Sequence, residues 1–508
     1  MSDPRNNLQP EPFWRDSADI RSFKKLEENK FFDVTIVGGG ISGITLAYLL
    51  TKEGFKVAIL EANQILNGTT GHTTAKITAQ HDMIYDEFIS HFGKDRARAY
   101  YEANTQAIQF IRETVQNHQI DCDFSEEDAY LYATTDQYAK KLDTEYEAYQ
   151  KLGIPGAMVD ILPFDLSIKT ALIMKDQAQF HPLKYLAKLV SIVQEQGGEI
   201  YENTVAVDME KGKHPKVITR DGHEVSSKYL VMCSHFPFHE DKKSLYFSRM
   251  YADRSYVVSI RAEKEFPGGM YLSVDRPIRS VRYTPLENGE KLLIIGGGTH
   301  KTGQGPDTLS IYKDLEQFAN NVFGIKEITH KWSAQDLYTL DKLPYIGHFA
   351  EDTPNIFVAT GYKKWGMTTS NVAALLITDL INKVDNPYAD LFTPSRFYAD
   401  PSIKEFIKTN ADVAGHLLAG KLEYADKKLE DIQLNEGAVI NLNGKRTGVY
   451  KDQDGKVHMV DTTCTHMGCE VEWNHGEHTW DCPCHGSRFS IDGEVIEGPT
   501  NKPLKKVE

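Results

Sequence analysis

The stretch VTIVGGGISG, residues 34–43, decides the fold of the first part of the chain. The β-branched and apolar run Phe31–Val37 predicts a buried strand before the glycines, and Ile44–Leu50 predicts a helix after them. A second strand is predicted over Lys56–Leu60. These elements form a βαβ unit in which a tight glycine turn joins the first strand to the helix.

The spacing Gly38-x-Gly40-x-x-Gly43 predicts what this turn binds. The first two glycines let backbone N–H groups approach a pyrophosphate at the positive end of the helix, and the third permits close helix packing. Glu61 ends the second strand 18 positions after Gly43, where its carboxylate accepts from a ribose hydroxyl. The motif indicates a dinucleotide and does not distinguish FAD from NAD. Three turn glycines that only connect strand and helix are the alternative.

Length and charge exclude several function classes. A chain of 508 residues corresponds to roughly three folding units. Lys and Arg total 57 against 72 Asp and Glu, and the net charge of −15 argues against nucleic acid as a partner. No stretch approaches the ~18 apolar residues of a membrane span, and the start has no secretory signal pattern. We therefore expect no membrane span and a cytoplasmic location.

Beyond the βαβ unit, the pattern of the chain changes several times. Tyr85–Tyr149 has helical spacing, short strands that favour an antiparallel substrate sheet begin at Glu199, and Ser402–Lys428 is helical again. Val439–Asp461 then alternates apolar and polar residues around two turns, as in a small β domain. The predicted division is 1–32, an N-terminal extension; 33–400, the nucleotide-binding oxidoreductase with a substrate region interleaved at about 85–340; 401–427, a helical linker; and 428–508, a small all-β domain.

Four of the six cysteines lie near the C-terminus, in the pattern Cys464-x-His466 and Cys482-x-x-His485 with fifteen residues between the pairs. Two thiolates on one iron and two imidazoles on the other suit a [2Fe-2S] cluster of raised potential. A structural zinc site is one alternative. An oxygenase is another, but it needs a second mononuclear iron site, and we find no compact Asp/His run for one among the 18 His.

The segments CTHMGC (464–469) and CPCHGS (482–487) resemble the two ligand-binding motifs, box one and box two, of quinol-oxidising Rieske proteins. The resemblance implies a disulfide between Cys469 and Cys484, and a Ser487 hydroxyl that bonds a cluster sulfide. The family's tyrosine is Phe489 here, so we expect a potential below the top of the Rieske range. The implied cluster ligands are Cys464, His466, Cys482 and His485.

Residues 68–75, GTTGHTTA, resemble the second flavin-contact segment of the D-amino-acid oxidase (DAO) superfamily, and segments 341–347, 359–361 and 366–368 resemble its flavin-closing segment. The resemblance covers roughly residues 33–390. It implies an α/β FAD-binding domain of the glutathione-reductase-like, DAO type with an antiparallel-sheet substrate domain. The implied FAD-binding residues are Gly38, Gly40, Gly43, Glu61, Thr70, His72, Gly361, Gly366, Met367 and Thr368.

At three places the members of this family differ from one another or this sequence departs from their pattern. His72 stands where some members carry a histidine joined covalently to the flavin, while others bind FAD there without a bond. Asp336 stands where other members have a flavin-linked cysteine, so its residue type excludes that link. The adenine-side strand of the family usually ends in an Ala-Thr-Gly type turn, which here reads Cys233-Ser234-His235.

A flavin takes two electrons as a hydride and a [2Fe-2S] cluster carries one, so their fusion suits a dehydrogenase with an internal electron route. By family position, Tyr256, Arg282 and Lys363 are candidate catalytic residues, with Arg282 as a carboxylate clamp, which favours a small amine or amino-acid-like substrate. The alternative interpretation of each is a packing or surface residue. We expect the exposed edges of His466 and His485 to meet a quinone or a small redox protein. An electron carrier or a redox sensor without its own C–H substrate is the alternative function.

Overall fold

The computed structural model describes residues 10–239, 245–422 and 427–507, with the backbone alone for 418–422. Residues 1–9 of the predicted extension and 423–426 of the predicted linker lie outside these ranges. The helices are α1 (Phe13–Asp16), α2 (Ile41–Lys52), α3 (Tyr85–Phe92), α4 (Lys94–Asn117), α5 (Asp136–Leu152), α6 (Pro182–Glu195), α7 (Thr308–Phe323), α8 (Gly366–Asn382), α9 (Ala389–Phe392) and α10 (Ala399–Leu422). Short 3₁₀ turns span Thr69–His72, Tyr246–Arg249 and Leu429–Asp431.

The strands follow the order of the chain. They are β1 (Lys30–Val37), β2 (Val57–Leu60), β3 (Lys76–Ile77), β4 (Ser125–Ala133), β5 (Ala157–Val159), β6 (Thr170–Gln179), β7 (Glu199–Tyr201), β8 (Ala206–Glu210), β9 (Lys216–Thr219), β10 (Glu224–Met232), β11 (Met250–Ala262), β12 (Met270–Ser273), β13 (Arg279–Pro285), β14 (Lys291–Lys301), β15 (Ile325–Thr339), β16 (Tyr345–His348), β17 (Ile356–Thr360), β18 (Glu436–Leu442), β19 (Lys445–Lys451), β20 (Val457–Asp461), β21 (Glu472–Asn474), β22 (Thr479–Asp481), β23 (Arg488–Phe489) and β24 (Val495–Glu497).

The first sheet has the order β16-β17-β10-β1-β2-β7, and its five strands from β17 to β7 run parallel. Helices α2, α6 and α8 pack together on one face, since α2 contacts both of the others. The prediction that the short strands from Glu199 begin the antiparallel substrate sheet is wrong for β7 to β10, since β7 and β10 are parallel strands of the first sheet and β8 and β9 pair onto its β10. Leu230–Met232 of β10 is fully buried, as in an interior parallel strand, and this run is too short to reveal its partners from sequence.

The second sheet is mainly antiparallel, with the order β15-β11-β14-β13-β12-β4-β6-β3, and β5 pairs with β6. It is the predicted substrate sheet. β4 interrupts the region Tyr85–Tyr149 that was predicted to be helical throughout, because its residues pair with β6 on one edge and with β12 on the other. Helix α7 packs on β11 and β14.

The C-terminal domain contains a three-stranded sheet, β18-β19-β20, and a four-stranded sheet, β21-β22-β23-β24. Its core includes Trp480 and Phe489, and Val413 and Leu417 of α10 pack against that core. No helix within the described ranges is long and apolar enough to cross a membrane.

Candidate functional site

A cavity of about 1060 Å³ lies where three parts of the chain meet. Its first wall is formed by the carboxyl ends of β1, β2, β10 and β17, its second by β11, β14 and β15, and its third by residues 494–501 of the C-terminal domain. The carboxyl edge of a parallel sheet is where dinucleotides bind in such folds. The cavity is therefore the candidate flavin site.

The glycine turn at one wall has the close contacts that a pyrophosphate cradle needs. Gly38 has φ +113°, and a Cβ at this position would lie 2.7 Å from the carbonyl carbon of Cys233. A Cβ on Gly43 would lie 2.0 Å from the carbonyl oxygen of Gly38. Gly40 is the N-cap residue of α2, so the positive end of the helix opens at this turn.

Glu61 and Thr70 hold the turn from two sides. The Glu61 carboxylate accepts from the Gly39 N–H at 2.8 Å and from the Asn63 N–H at 3.0 Å, and its pKa is raised by burial. The Thr70 hydroxyl accepts from the N–H of Ile41 at 3.0 Å. Each Glu61 oxygen keeps a further lone pair, so the carboxylate can still accept from a ribose hydroxyl, and that contact stays a prediction.

The 3₁₀ turn Thr69–His72 is fixed by two indoles. The Trp332 indole donates to the carbonyl of His72 at 2.9 Å, and the Trp14 indole donates to the carbonyl of Thr73 at 2.7 Å. The His72 side chain lines the cavity, and burial lowers its pKa, which favours the neutral imidazole. A covalent bond between His72 and the flavin and binding without one both stay predictions.

Most of the other predicted flavin residues also line the cavity. Gly361 does so directly after β17, and Gly366 and Met367 do so at the start of α8. Thr368 does not: its hydroxyl donates to the carbonyl of Thr78 and accepts from the Thr78 N–H, which ties α8 to the segment before α3. Gly43 also lies behind the wall, where its missing side chain allows the turn to close.

Two of the three predicted catalytic residues lie at the cavity. Tyr256 is fully buried and its hydroxyl is 3.2 Å from Nε2 of His300, while Lys363 lies beside the Tyr338 ring. Arg282 is not a carboxylate clamp in this structure. Its guanidinium donates to the carbonyls of Thr74, Ala75, Phe180 and Tyr283, so its N–H groups hold backbone rather than a ligand.

A polar cluster that the sequence analysis did not predict as a site faces the same cavity. Asp253 of β11 lies directly opposite Asp336 of β15. Burial raises the pKa of Asp336 to about 7, with Lys364 acting in the opposite direction. The Lys364 ammonium donates to the hydroxyls of Ser255 at 2.6 Å and Thr299 at 2.5 Å. The signal in the sequence is weak, because β11 and β15 carry several other polar residues and neither strand shows which of them face the cavity.

The predicted cluster ligands lie in two loops that have the same backbone hydrogen bond and a glycine at the same position. The Gly468 N–H donates to the carbonyl of Cys464 at 2.9 Å, and the Gly486 N–H donates to the carbonyl of Cys482 at 3.0 Å. Both glycines have φ near +80°, a conformation that side chains disfavour. Each tight loop therefore presents one cysteine and one histidine from a rigid backbone.

The residues present fit a [2Fe-2S] cluster. Cys464 and Cys482 are buried and close enough that their hydrogen bond lowers the pKa of Cys464 to about 7. Nδ1 of His466 is buried and has no hydrogen-bond partner among the described residues, as expected of a nitrogen that ligates iron. The disulfide between Cys469 and Cys484 is present, as the resemblance implied. A zinc site of Cys469, Cys482 and Cys484 does not fit, because disulfide sulfurs are not thiolates.

The histidine edge of the cluster site is not open in the way the sequence analysis expected. His485 is 6% exposed, and Phe247 packs edge-on against the rings of both His466 and His485, at centroid distances of 5.1 and 5.2 Å. Phe247 belongs to the 3₁₀ turn Tyr246–Arg249, which leads into β11. The flavin-binding part of the chain thus covers the imidazole edge that was predicted to meet an acceptor.

Substitution at Phe489 is expected to raise the cluster's midpoint potential. Phe489 is fully buried in the core of the C-terminal domain. In Phe489→Tyr the new hydroxyl would supply the hydrogen bond to the cluster that the tyrosine of the family makes. A hydrogen bond that stabilises the reduced cluster by about 1.4 kcal/mol raises its one-electron potential by about 60 mV. Ser487→Ala is expected to lower the potential by a similar amount. Redox titration followed by EPR measures both, and equal potentials in the three proteins would contradict the prediction.

Family models match both parts of the chain: an FAD-dependent oxidoreductase model, DAO, matches residues 33–380, and a Rieske [2Fe-2S] domain model matches 423–508. The Rieske 2Fe-2S iron-sulfur protein YhfW of Bacillus subtilis is 55% identical over 98% of each chain. The γ-glutamylputrescine oxidoreductase of Escherichia coli is 25% identical over 71% of this chain and 85% of its own. Glycine oxidase from Geobacillus kaustophilus superposes with a TM-score of 0.61 at 20% identity, covering 72% of this chain and 99% of its own.

Proposed function

Because the chain belongs to the DAO family of FAD-dependent oxidoreductases and carries a Rieske [2Fe-2S] domain, we propose that it oxidises a small amine or amino-acid-like substrate and passes the electrons to its own cluster. It is an oxidoreductase of the amino-acid oxidase and dehydrogenase kind, with FAD and a [2Fe-2S] centre. The proposal concerns the substrate class and the electron route.

The polar cluster in the cavity supports an amine substrate. Asp253 and Asp336 face the cavity across neighbouring strands, and Oδ1 of Asp253 is buried without a hydrogen-bond partner among the described residues. A substrate ammonium group would satisfy such an oxygen and offset the charge of the pair. Arg282 is directed to backbone carbonyls and offers no clamp for a substrate carboxylate. Lys363 and Lys364 also line the cavity, so the unpartnered Asp253 oxygen is the observation that supports an amine. The Escherichia coli relative, a γ-glutamylputrescine oxidoreductase, is named for an amine, which is consistent with this proposal.

The contact between the C-terminal domain and the flavin cavity is the observation that supports electron transfer from FAD to the cluster. Residues 494–501 form part of the cavity wall and belong to the same domain as the four cluster ligands. When bound, FAD takes two electrons as a hydride and the cluster carries them one at a time. The substrate would lose a hydride and a proton to become an imine, and two electrons would leave to a quinone or a small redox protein. Met467, next to the ligand His466, is 52% exposed and offers such an acceptor an apolar contact.

An anaerobic substrate screen on the purified protein tests the proposal. The screen follows flavin absorbance and the EPR signal of the reduced cluster together, with primary and secondary amines and amino acids. We expect an amine to bleach the flavin and to produce the cluster signal. Reduction of both centres by a reduced nicotinamide or a ferredoxin, with no metabolite effective, would instead favour an electron carrier.

The affinity for a cationic substrate is expected to depend on pH through Asp336. Its pKa of about 7 makes the carboxyl neutral below that pH and charged above it. For an amine that stays protonated, KM should therefore fall as pH rises through about 7, by roughly tenfold if the added attraction is about 1.4 kcal/mol. Asp336→Asn should remove the dependence. Asp136→Asn, at a position with a side chain 81% exposed, should keep it, and an unchanged pH profile in Asp336→Asn would count against an amine bound at this pair.

A further inference from the structure

Gln335 bridges the two cofactor sites through its own atoms. This residue of β15 is completely buried, and its Nε2 donates to the carbonyl of Gly486 at 3.0 Å. Gly486 directly follows the cluster ligand His485. On the other side, the backbone carbonyl of Gln335 accepts from the Thr69 hydroxyl at 3.2 Å, and Thr69 lines the flavin cavity. One residue thus contacts both the cluster-ligand loop and the flavin-contact turn.

The bridge is held in one geometry. Oε1 of Gln335 accepts from the Thr302 hydroxyl at 2.7 Å, which fixes the orientation of the amide and points its N–H groups at Gly486. A Cβ on Gly486 would lie 2.4 Å from Cβ of Ala252 and 3.1 Å from Oε1 of Gln335, so the ligand loop is packed directly on β11 and β15. A buried amide that is hydrogen-bonded through both its oxygen and its nitrogen at such a close contact fixes the distance between the groups that it joins.

We propose that Gln335 is a positioning residue that sets the separation between the flavin site and the cluster, and thereby the rate of electron transfer between them. The inference rests on the proposed function. In each transfer one electron passes from the reduced flavin to one ferric iron, which becomes ferrous, and no bond in the chain is formed or broken. Because electron transfer slows exponentially with distance, loosening this contact reduces the rate without removing a ligand of either cofactor.

A second glutamine gives a matched control. Nε2 of Gln304 donates to the carbonyl of Pro483 at 3.0 Å, in the same ligand loop, and also to Asp412 at 3.0 Å. Gln304 does not line the flavin cavity, and among the described residues its side chain bonds only to Pro483 and Asp412, away from the Thr69 turn. Gln304→Leu removes a contact to the loop but leaves the bridge.

The experiment uses the full chain with both cofactors. A laser flash reduces the flavin through deazariboflavin, and cluster reduction is followed by absorbance and by freeze-quench EPR. We expect Gln335→Leu to slow the transfer several-fold, because the loosened contact lengthens the path between the two centres, and Gln304→Leu to keep the unmodified rate. Gln335→Glu is the second variant: it keeps an acceptor for Thr302 but loses the donor to Gly486, so it tests the bridge if Gln335→Leu fails to fold.

A second readout separates positioning from damage to the cluster. The EPR g-values should be unchanged in both Gln335 variants, while amide hydrogen exchange should become faster in segments 482–487 and 68–72. Unmodified transfer rates in both Gln335 variants would refute the bridge and leave the proposed function standing. No transfer from flavin to cluster in the unmodified protein would refute the proposed function itself and the bridge with it.

Discussion

The Gly43→Ala protein is expected to purify with little or no FAD. The added methyl group would lie 2.0 Å from the carbonyl oxygen of Gly38, which is backbone and cannot rotate away. Either the start of α2 or the glycine turn must then move, and both form the pyrophosphate cradle. Overpacking at such a contact costs about 1–3 kcal/mol, which corresponds to a loss of FAD affinity of about 5- to 150-fold if the whole cost falls on the bound state.

The flavin content after desalting and a fluorescence titration of the apoprotein with FAD measure this loss. Gly415→Ala is the matched control, because a Cβ at this position of α10 meets no atom within 4 Å. There the same change is expected to leave FAD binding unaffected and to add about 0.5–1 kcal/mol of helix stability. Stoichiometric FAD in Gly43→Ala would show that the turn is not the pyrophosphate site.

The Cys482→Ser protein is expected to lose the [2Fe-2S] signal while it keeps its FAD. Cys482 is 1% exposed at the base of the second ligand loop, and a serine hydroxyl is a poor substitute for a soft thiolate on iron. Transfer of electrons to a one-electron acceptor should fall by more than about 100-fold. Removal of an outer hydrogen-bond partner of a metal ligand already costs up to about 100-fold, and this substitution removes the ligand itself. Anaerobic reduction of the flavin by substrate should persist, because the proposed substrate groups lie in another part of the chain.

Cys122→Ser controls for the substitution itself, since Cys122 is equally buried but lies in the core of the flavin-binding part. It should keep both the EPR signal and the transfer to the acceptor. If Cys482→Ser still reduced a one-electron acceptor at the unmodified rate, the electrons would leave from the flavin directly and the internal route would be wrong.

Local spacing was sufficient to predict the parts of the site that are built from one turn or one loop. The glycine turn before α2 and the two ligand loops each lie within six consecutive residues, so their chemistry can be read from neighbours in the sequence. The resemblance to the Rieske boxes also implied the disulfide between Cys469 and Cys484, which is present.

Contacts that depend on strand register were not predictable in this way. Asp253 and Asp336 are opposite only because β11 pairs with β15, and Phe247 reaches the two predicted histidine ligands only because the two domains dock. Arg282 matched a family position, but carbonyls from three separate segments surround its guanidinium. The sequence identifies the type of side chain at a position, but it does not show which backbone groups from distant segments will surround that side chain.

The contribution of residues 494–501 to the cavity wall links two events that are separate in a one-domain flavoenzyme. If the C-terminal domain undocks, the flavin cavity loses one of its walls. The free energy of domain docking is therefore thermodynamically linked to the free energy of FAD binding. Bound FAD must then strengthen the attachment of the domain by the same factor by which the domain tightens FAD. After a protease cleaves the linker, the C-terminal domain should dissociate faster from the apoprotein than from the holoprotein.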